Sequence, residues 1–220
     1  MNLKSKVLII AGSDSSGGAG IQADIKTVTA LGSYATTTVT AVTAQNTKGV
    51  KKIISIPTKI VQKQIIMILD DIGAHAVKIG MLHNANIIKS VYKILKKYNL
   101  KNIVLDPVMI AKGGAKLISK SSIKHLKKLL LPLCTLVTPN IPEAEALTGY
   151  SISSKEDMIK AAKKILNMGS KNVLLKGGHL KSKMIFDILA TKKGIKVFEV
   201  RKIRTKNTHG TGCTLSSAIT

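Results

Sequence analysis

The sequence predicts an α/β fold: a mainly parallel sheet with helices on both faces and an antiparallel hairpin at one edge. Short apolar runs alternate with segments of helical periodicity along most of the chain. Several of these runs, such as "VLIIAG", are apolar throughout, as in parallel strands buried on both faces. One late stretch, "MIFDILATKKGIKVFEVRKI", breaks the alternation with two apolar runs flanking "TKKG", the pattern of a hairpin.

The elements follow in order. "VLIIAG" reads as a strand, and "IQADIKTVTALG" as a helix with apolar residues at Ile21, Ile25, Val28 and Leu31 and Gly32 to end it. "SYATTTVTAVTAQN" is rich in β-branched residues and reads as a strand, with "VKKIISIP" another. "TKIVQKQIIMILDDIG" is helical, with Thr58 as its expected cap. The strand "AHAVKIG", the helix "NANIIKSVYKILKKYN" and the strand "NIVLDPV" come next. "SSIKHLKKLLLPL" (helix), "TLVTPN" (strand) and "IPEAEALTG" (short helix) follow. "SSKEDMIKAAKKILNMG" is a helix opened by a serine cap, with Glu156 and Asp157 in its first turn. "KNVLLKGG" is a strand, and "CTLSSAIT" begins a last helix.

A chain of 220 residues is most simply one domain. No apolar run reaches the length that spans a bilayer, and the start is a poor signal peptide. Cys134 and Cys213 form neither a metal-type spacing nor a disulfide framework, so a reducing, cytoplasmic setting is expected. The formal net charge of +24 raises the question of nucleic acid. Against it, arginine occurs only at Arg201 and Arg204, aromatics make up 3% and tryptophan is absent. Base readout favours arginine and single-strand binding favours aromatic platforms. The lysines are scattered in pairs, as on solvated faces, and no nucleic-acid or membrane partner is expected.

In parallel α/β sheets ligands bind beyond the carboxyl ends of the strands, so the residues there carry the most information. "AGSDSSGGAG" follows the first strand. Its "GAGIQA" fits G-x-G-x-x-A, but a dinucleotide site wants an acidic residue about 20 positions on. Asp24 comes too early, and no acid follows before Asp70. As a phosphate loop it has Ala19 where a lysine is wanted. A flexible turn and a substrate loop remain, the latter with Asp14 and Asp24 as acceptors for a donor-rich ligand.

"NTHGTGC" is the better anion site. Gly210 and Gly212 free the backbone at a helix start, where amides and dipole favour negative charge. The same field is expected to lower the pKa of Cys213, making it a base for a substrate hydroxyl; a small residue packed at a helix start is the alternative. In "TPNIPEAEAL", Asn140 and Glu143 lie on one face of a helix start and could hold Mg²⁺, or could form a cap. In "LLKGGH", Lys176 at a strand end can reach a polyphosphate, or lie on the surface. Together these are the parts of a phosphoryl transferase without a phosphate loop.

The motifs "AGSDSSGGAGIQADIKT", "TAVTAQNT", "KIGML", "LDPVM", "TPNIPEAEALTG", "LLKGGH" and "NTHGTGCTLSSAI" jointly resemble those of the hydroxymethylpyrimidine/phosphomethylpyrimidine kinases of thiamine biosynthesis. The resemblance runs from about Val7 to the last residue and implies a ribokinase-like, three-layer αβα fold. It implies that Gln45 hydrogen-bonds an aminopyrimidine in a pocket lined by Gly12, Asp24, Val42, Met81 and Val108. An amide suits such an edge, which carries both a donor and an acceptor. It further implies ATP and Mg²⁺ as cofactors, with Lys176 and Thr208 toward the nucleotide and Asn140, Glu143 and Asp106 toward the metal. Cys213 would act as base beside the anion hole of Gly210, Thr211 and Gly212, and a homodimer is left open. Relatives continue for some tens of residues past Thr220, so residues 1–220 are expected to form a single kinase domain truncated at its C-terminal end, without the adenine-site residues of that region. A pyridoxal kinase of the same superfamily and a basic nucleic-acid-binding protein are the alternatives.

Overall fold

The computed structural model describes residues 4–110 and 117–220. The strands are β1 (Lys6–Asp14), β2 (Tyr34–Asn46), β3 (Gly49–Ser55), β4 (Ala76–Ile79), β5 (Ile103–Leu105), β6 (Leu136–Val137), β7 (Asn172–Leu175), β8 (Met184–Thr191) and β9 (Gly194–Arg201). The α-helices are α1 (Gly20–Ala30), α2 (Thr58–Asp71), α3 (Ala85–Lys97), α4 (Lys120–His125), α5 (Ile141–Thr148), α6 (Lys155–Leu166) and α7 (Thr211–Ile219).

The strands form one sheet in the order β3-β2-β1-β4-β5-β6-β7-β8-β9. From β2 to β7 every neighbouring pair is parallel. The β8–β9 hairpin adds antiparallel strands beyond β7, at the edge where the sequence puts them. β3 also pairs antiparallel, with β2. That second antiparallel edge was not foreseen, because "VKKIISIP" reads as a strand without showing its direction.

Alternation along β1 explains the layers. Leu8 and Ile10 join the large core with residues of α2, α3, α5 and α6, whereas Val7, Ile9 and Ala11 pack on Ile21 and Val28 of α1. α7 packs against α1 on that second face. Several termini follow local rules. Asn84 caps α3 and Ser154 caps α6, each accepting backbone N–H groups of the first turn. Gly149 closes α5 in the left-handed region. Thr58 is instead the first residue of α2, after Pro57, and makes no cap. The helix expected over "SSIKHLKKLLLPL" shortens to α4, then widens into a π turn and tightens into a 3₁₀ turn at Pro132. Among the described residues no helix is long and apolar enough to cross a membrane.

Candidate active site

The carboxyl ends of the parallel strands gather most of the singled-out residues into two adjoining regions. The first is ionic. Asp106 follows β5, Asn140 and Glu143 open α5 after β6, and Lys176 follows β7. Lys176 Nζ lies 2.9 Å from Asp106 Oδ1, and Asn140 and Lys176 sit side by side through a parallel bridge. The N-x-x-E spacing is a capping box: Glu143 N–H donates to Asn140 Oδ1, and Asn140 N–H donates to Glu143 Oε2. Glu143 is nonetheless almost fully buried. Burial and the neighbouring Asp106 push its carboxyl up to about 8, against the pull of Lys176. For Asp106, burial is outweighed by Lys176 and Lys78, which hold its carboxyl below the usual range.

α7 completes this region. Its N-cap is Gly210, at φ 78°, and no side chain caps the helix. The first amides of a helix have no intrahelical acceptor. The turn is pressed so closely onto "AGSDSSGGAG" that a Cβ on Gly210 would stand 1.7 Å from the Gly18 carbonyl oxygen. A Cβ on Gly212 would lie 3.1 Å from Lys176 Nζ and 3.9 Å from Asp106 Oδ2. The bare amides therefore open beside a lysine, which is an anion-binding geometry. Thr208, just upstream, is exposed, and its carbonyl accepts from the N–H and the hydroxyl of Thr211.

Cys213, partly buried in the first turn of α7, differs from expectation. Burial pushes its thiol up to about 11; Lys78 and the Gly20 N–H pull down, while Asp106 and Asp24 push up. Helix dipole and lysine argue for a thiolate, but burial between two carboxylates outweighs them.

The second region is largely apolar. Ala41, Met81 and Leu117 form a small cluster joined by Val108 and Ile53. Gly12 belongs beside them, since a Cβ there would meet the Met81 methyl at 2.4 Å. Val42 is 47% exposed, free to touch a ligand. Gln45 stands apart from that cluster: it lines a depression of about 600 Å³ with Ser15, Asn46 and Lys48, which none of Gly12, Val42, Met81 and Val108 lines. Its Oε1 accepts from Thr43 and its backbone exchanges hydrogen bonds with Ser15, leaving the amide NH₂ to donate outward.

Both early aspartates sit otherwise than expected. Asp14 is buried and accepts from Ser16, Ala19 and His209. Asp24, expected to line the pocket, is fully buried and holds Lys78 at 2.7 Å and Ser217 at 2.7 Å. Neither carboxylate is open to a ligand. Sequence reasoning missed Lys78, Ser217 and His209. One signal was available for Lys78, since a lysine inside a four-residue buried strand needs a buried anion.

The model of the phosphomethylpyrimidine kinase family matches residues 14–220. The chain belongs to that family and is a kinase. It is 51% identical to the thiamine biosynthesis bifunctional protein ThiED of Geobacter sulfurreducens over 98% of this chain, and spans only 44% of that longer protein. It is 46% identical to the hydroxymethylpyrimidine/phosphomethylpyrimidine kinase of Bacillus subtilis over 98% of this chain and 80% of that one. Among solved structures, the phosphomethylpyrimidine kinase of Clostridium difficile aligns at 48% identity and a TM-score of 0.85, covering 98% of this chain and 88% of that one. An ADP complex of Bacillus subtilis pyridoxal kinase aligns at 41% identity and a TM-score of 0.90, covering 97% and 81%. The ribokinase-like architecture and the kinase family expected from the motifs are both borne out.

Proposed function

We propose that this kinase phosphorylates the hydroxymethyl group of 4-amino-5-hydroxymethyl-2-methylpyrimidine, and then its monophosphate, using ATP in thiamine biosynthesis. The observation that carries the reading is the meeting of the uncapped Gly210–Cys213 turn with Lys176 and Asp106. Such a cradle stabilises the charge on a phosphoryl group in flight, the main task in phosphoryl transfer.

In this reading Gln45 pairs with the aminopyrimidine edge, over an apolar floor of Gly12, Met81 and Val108 with Val42 at its rim. Asp24 lies beneath, tied to Lys78. The amides of Gly212 and Cys213 and the Lys176 ammonium hold the transferring phosphoryl group; Thr211, whose N–H is turned back to the Thr208 carbonyl, shapes the turn, and Thr208 is placed toward the nucleotide. Cys213 in its thiolate form takes the hydroxyl proton as the hydroxyl oxygen bonds phosphorus and the bond to the leaving ADP oxygen breaks. Burial makes that form a minority in the resting protein.

The ionic region fits a magnesium ion held chiefly by phosphates and water. Glu143 and Asp106 are neighbouring buried carboxylates, and a cation would relieve the repulsion that raises Glu143. Asn140 and Glu143 already exchange hydrogen bonds, and among the described residues no three His, Cys, Asp or Glu cluster as a full cage. Mg²⁺ typically keeps several waters. When bound, it would neutralise phosphate charge.

A second reading, phosphorylation of pyridoxal, draws on the close match to a pyridoxal kinase structure. A coupled ATP-turnover assay comparing the pyrimidine alcohol with pyridoxal separates the two. Turnover of pyridoxal alone would replace the first reading with the second, and turnover of neither would overturn both.

A further inference from the structure

Among the described residues Lys78 is the largest fully buried side chain. Its neighbours Val77 and Ile79 face the large core, so Lys78 faces α1 and α7. Both Asp24 oxygens lie close to its Nζ, at 2.7 and 2.9 Å, and Asp24 Oδ1 also accepts from Ser217 Oγ at 2.7 Å. Asp24 belongs to α1. Ser217 belongs to α7, four residues after Cys213 and on the same helix face. Gly20, the first residue of α1, turns its backbone toward the Cys213 sulfur and favours the thiolate. β4, α1 and α7 are thus joined by polar contacts one helical turn from that sulfur. Gly80 keeps the space open, since a Cβ there would stand 3.0 Å from Lys78 Nζ.

A buried ion pair is an expensive way to hold three elements together, and well-packed apolar groups often do as well. A charge kept there calls for a second use, and the sulfur supplies one. Burial opposes the Lys78 ammonium; in the resting protein the paired Asp24 keeps it charged, and once the Cys213 thiolate forms its attraction to the ammonium ranks ahead of those of Asp24 and Asp106. We propose that Lys78 is a positioning residue for Cys213: its buried ammonium is the counter-charge of the thiolate, and Asp24 with Ser217 fixes that ammonium to the helix bearing the sulfur. The proposal rests on the reading of Cys213 as the base. The charged groups around the sulfur are Lys78 from β4, Asp24 from α1, Asp106 after β5 and Lys176 after β7.

The test reads the sulfur directly. Cys213 is alkylated with iodoacetamide across a range of pH, and modification is followed by peptide mass spectrometry, which separates it from Cys134. Lys78→Met alone strands a buried carboxylate, so the neutral pair Lys78→Met/Asp24→Asn is used beside Asp24→Asn alone. The neutral pair should slow alkylation below the thiol midpoint by roughly tenfold, one pKa unit's worth. Asp24→Asn, which removes an anion and keeps the ammonium, should speed it by a similar factor. Simple loosening of the site would speed both. Rates that move in the same direction, or that do not move, overturn the proposal. Should the neutral pair not fold, Asp24→Asn decides alone, and an unchanged or slower rate there is fatal. The alkylation rate is independent of turnover, whereas the base reading fails separately if Cys213→Ala keeps full kcat.

Discussion

Asp14 and His209 stand 195 residues apart in the chain and 2.8 Å apart in space. Their hydrogen bond fastens the loop after β1 to the turn before α7, so the pocket loop and the anion turn are tied together. Ser16 reaches both partners, and the fit is tight enough that a Cβ on Gly18 would strike the His209 ring.

His209→Ala should therefore disturb both halves of the site. Losing one hydrogen bond to a buried carboxylate costs roughly 1–2 kcal/mol. Burial favours the neutral acid in Asp14, but hydrogen bonds from His209, Ser16 and Ala19 outweigh it and hold the carboxyl below its usual range. That contribution is present above the ordinary aspartate pKa and is lost as pH falls through the lowered value. The variant should lose less stability on acidification than the parent. Thermal melts at neutral and acid pH measure the difference, and equal acid losses in the two proteins would contradict it.

Gly210 and Gly212 make different demands, and alanine at each should show it. At Gly210 an added methyl meets the Gly18 backbone from a left-handed conformation. Strain and overpacking together should cost roughly 2–6 kcal/mol. At Gly212 the methyl meets the flexible end of Lys176, with no positive φ to penalise. Gly212→Ala should melt near the parent temperature yet turn over at least tenfold more slowly, because Lys176 is displaced from the phosphoryl site. A melt and a kcat measurement on each variant suffice; a stable, fully active Gly212→Ala would remove that glycine from the cradle.

Much of this arrangement was legible in the chain because it depends on local chemistry. The alternation of runs and helices, the serine cap at Ser154 and the glycine turn at Gly210 are all short-range patterns. The N-x-x-E spacing could be read either as a cap or as metal ligands, and it forms the cap. The Lys78–Asp24–Ser217 ring was not legible, because its partners lie on three elements and meet only after the sheet forms. The sign of the Cys213 shift failed for a related reason. Dipole and lysine are visible locally, but burial and the carboxylates of Asp24 and Asp106 come from the tertiary fold. The direction of β3 was equally hidden, since a strand of mixed polar and apolar residues fits either orientation.

The raised Cys213 thiol has a kinetic consequence. If the thiolate is the active form and its pKa is about 11, kcat/KM should climb about tenfold per pH unit through the neutral and mildly alkaline range. Cys213→Ala should lie roughly 10²- to 10⁴-fold lower, the usual worth of a general base, and should lose the slope. A variant that keeps the slope would assign it to another group.

Gln45 faces solvent with donor capacity to spare, and its truncation should act on substrate choice. Gln45→Ala should raise KM for the pyrimidine alcohol roughly 5- to 150-fold, since one hydrogen bond or two are lost at roughly 1–1.5 kcal/mol each. The ATP KM should hold, because Lys176 and the α7 amides lie in the other region. Steady-state kinetics with each substrate varied in turn check this, and a change confined to ATP would move Gln45 out of the pyrimidine pocket.

Glu143 offers the last test, through stability. Burial and Asp106 raise its carboxyl to about 8, so the folded protein keeps this proton over a range where the unfolded chain has released it. A folded state that binds more protons loses stability as pH rises. The loss begins near the ordinary glutamate pKa of about 4.3 and levels off above about 8. Glu143→Gln retains an oxygen to accept the Asn140 N–H but cannot ionise, so its melting temperature should not share this decline. Subtracting the two melting curves across that range isolates the titration of Glu143 with the neighbouring Asp106 and Lys176 from that of the rest of the protein. A difference that stays constant with pH would mean the carboxyl is already ionised in the folded protein, with Lys176 rather than Asp106 setting its charge.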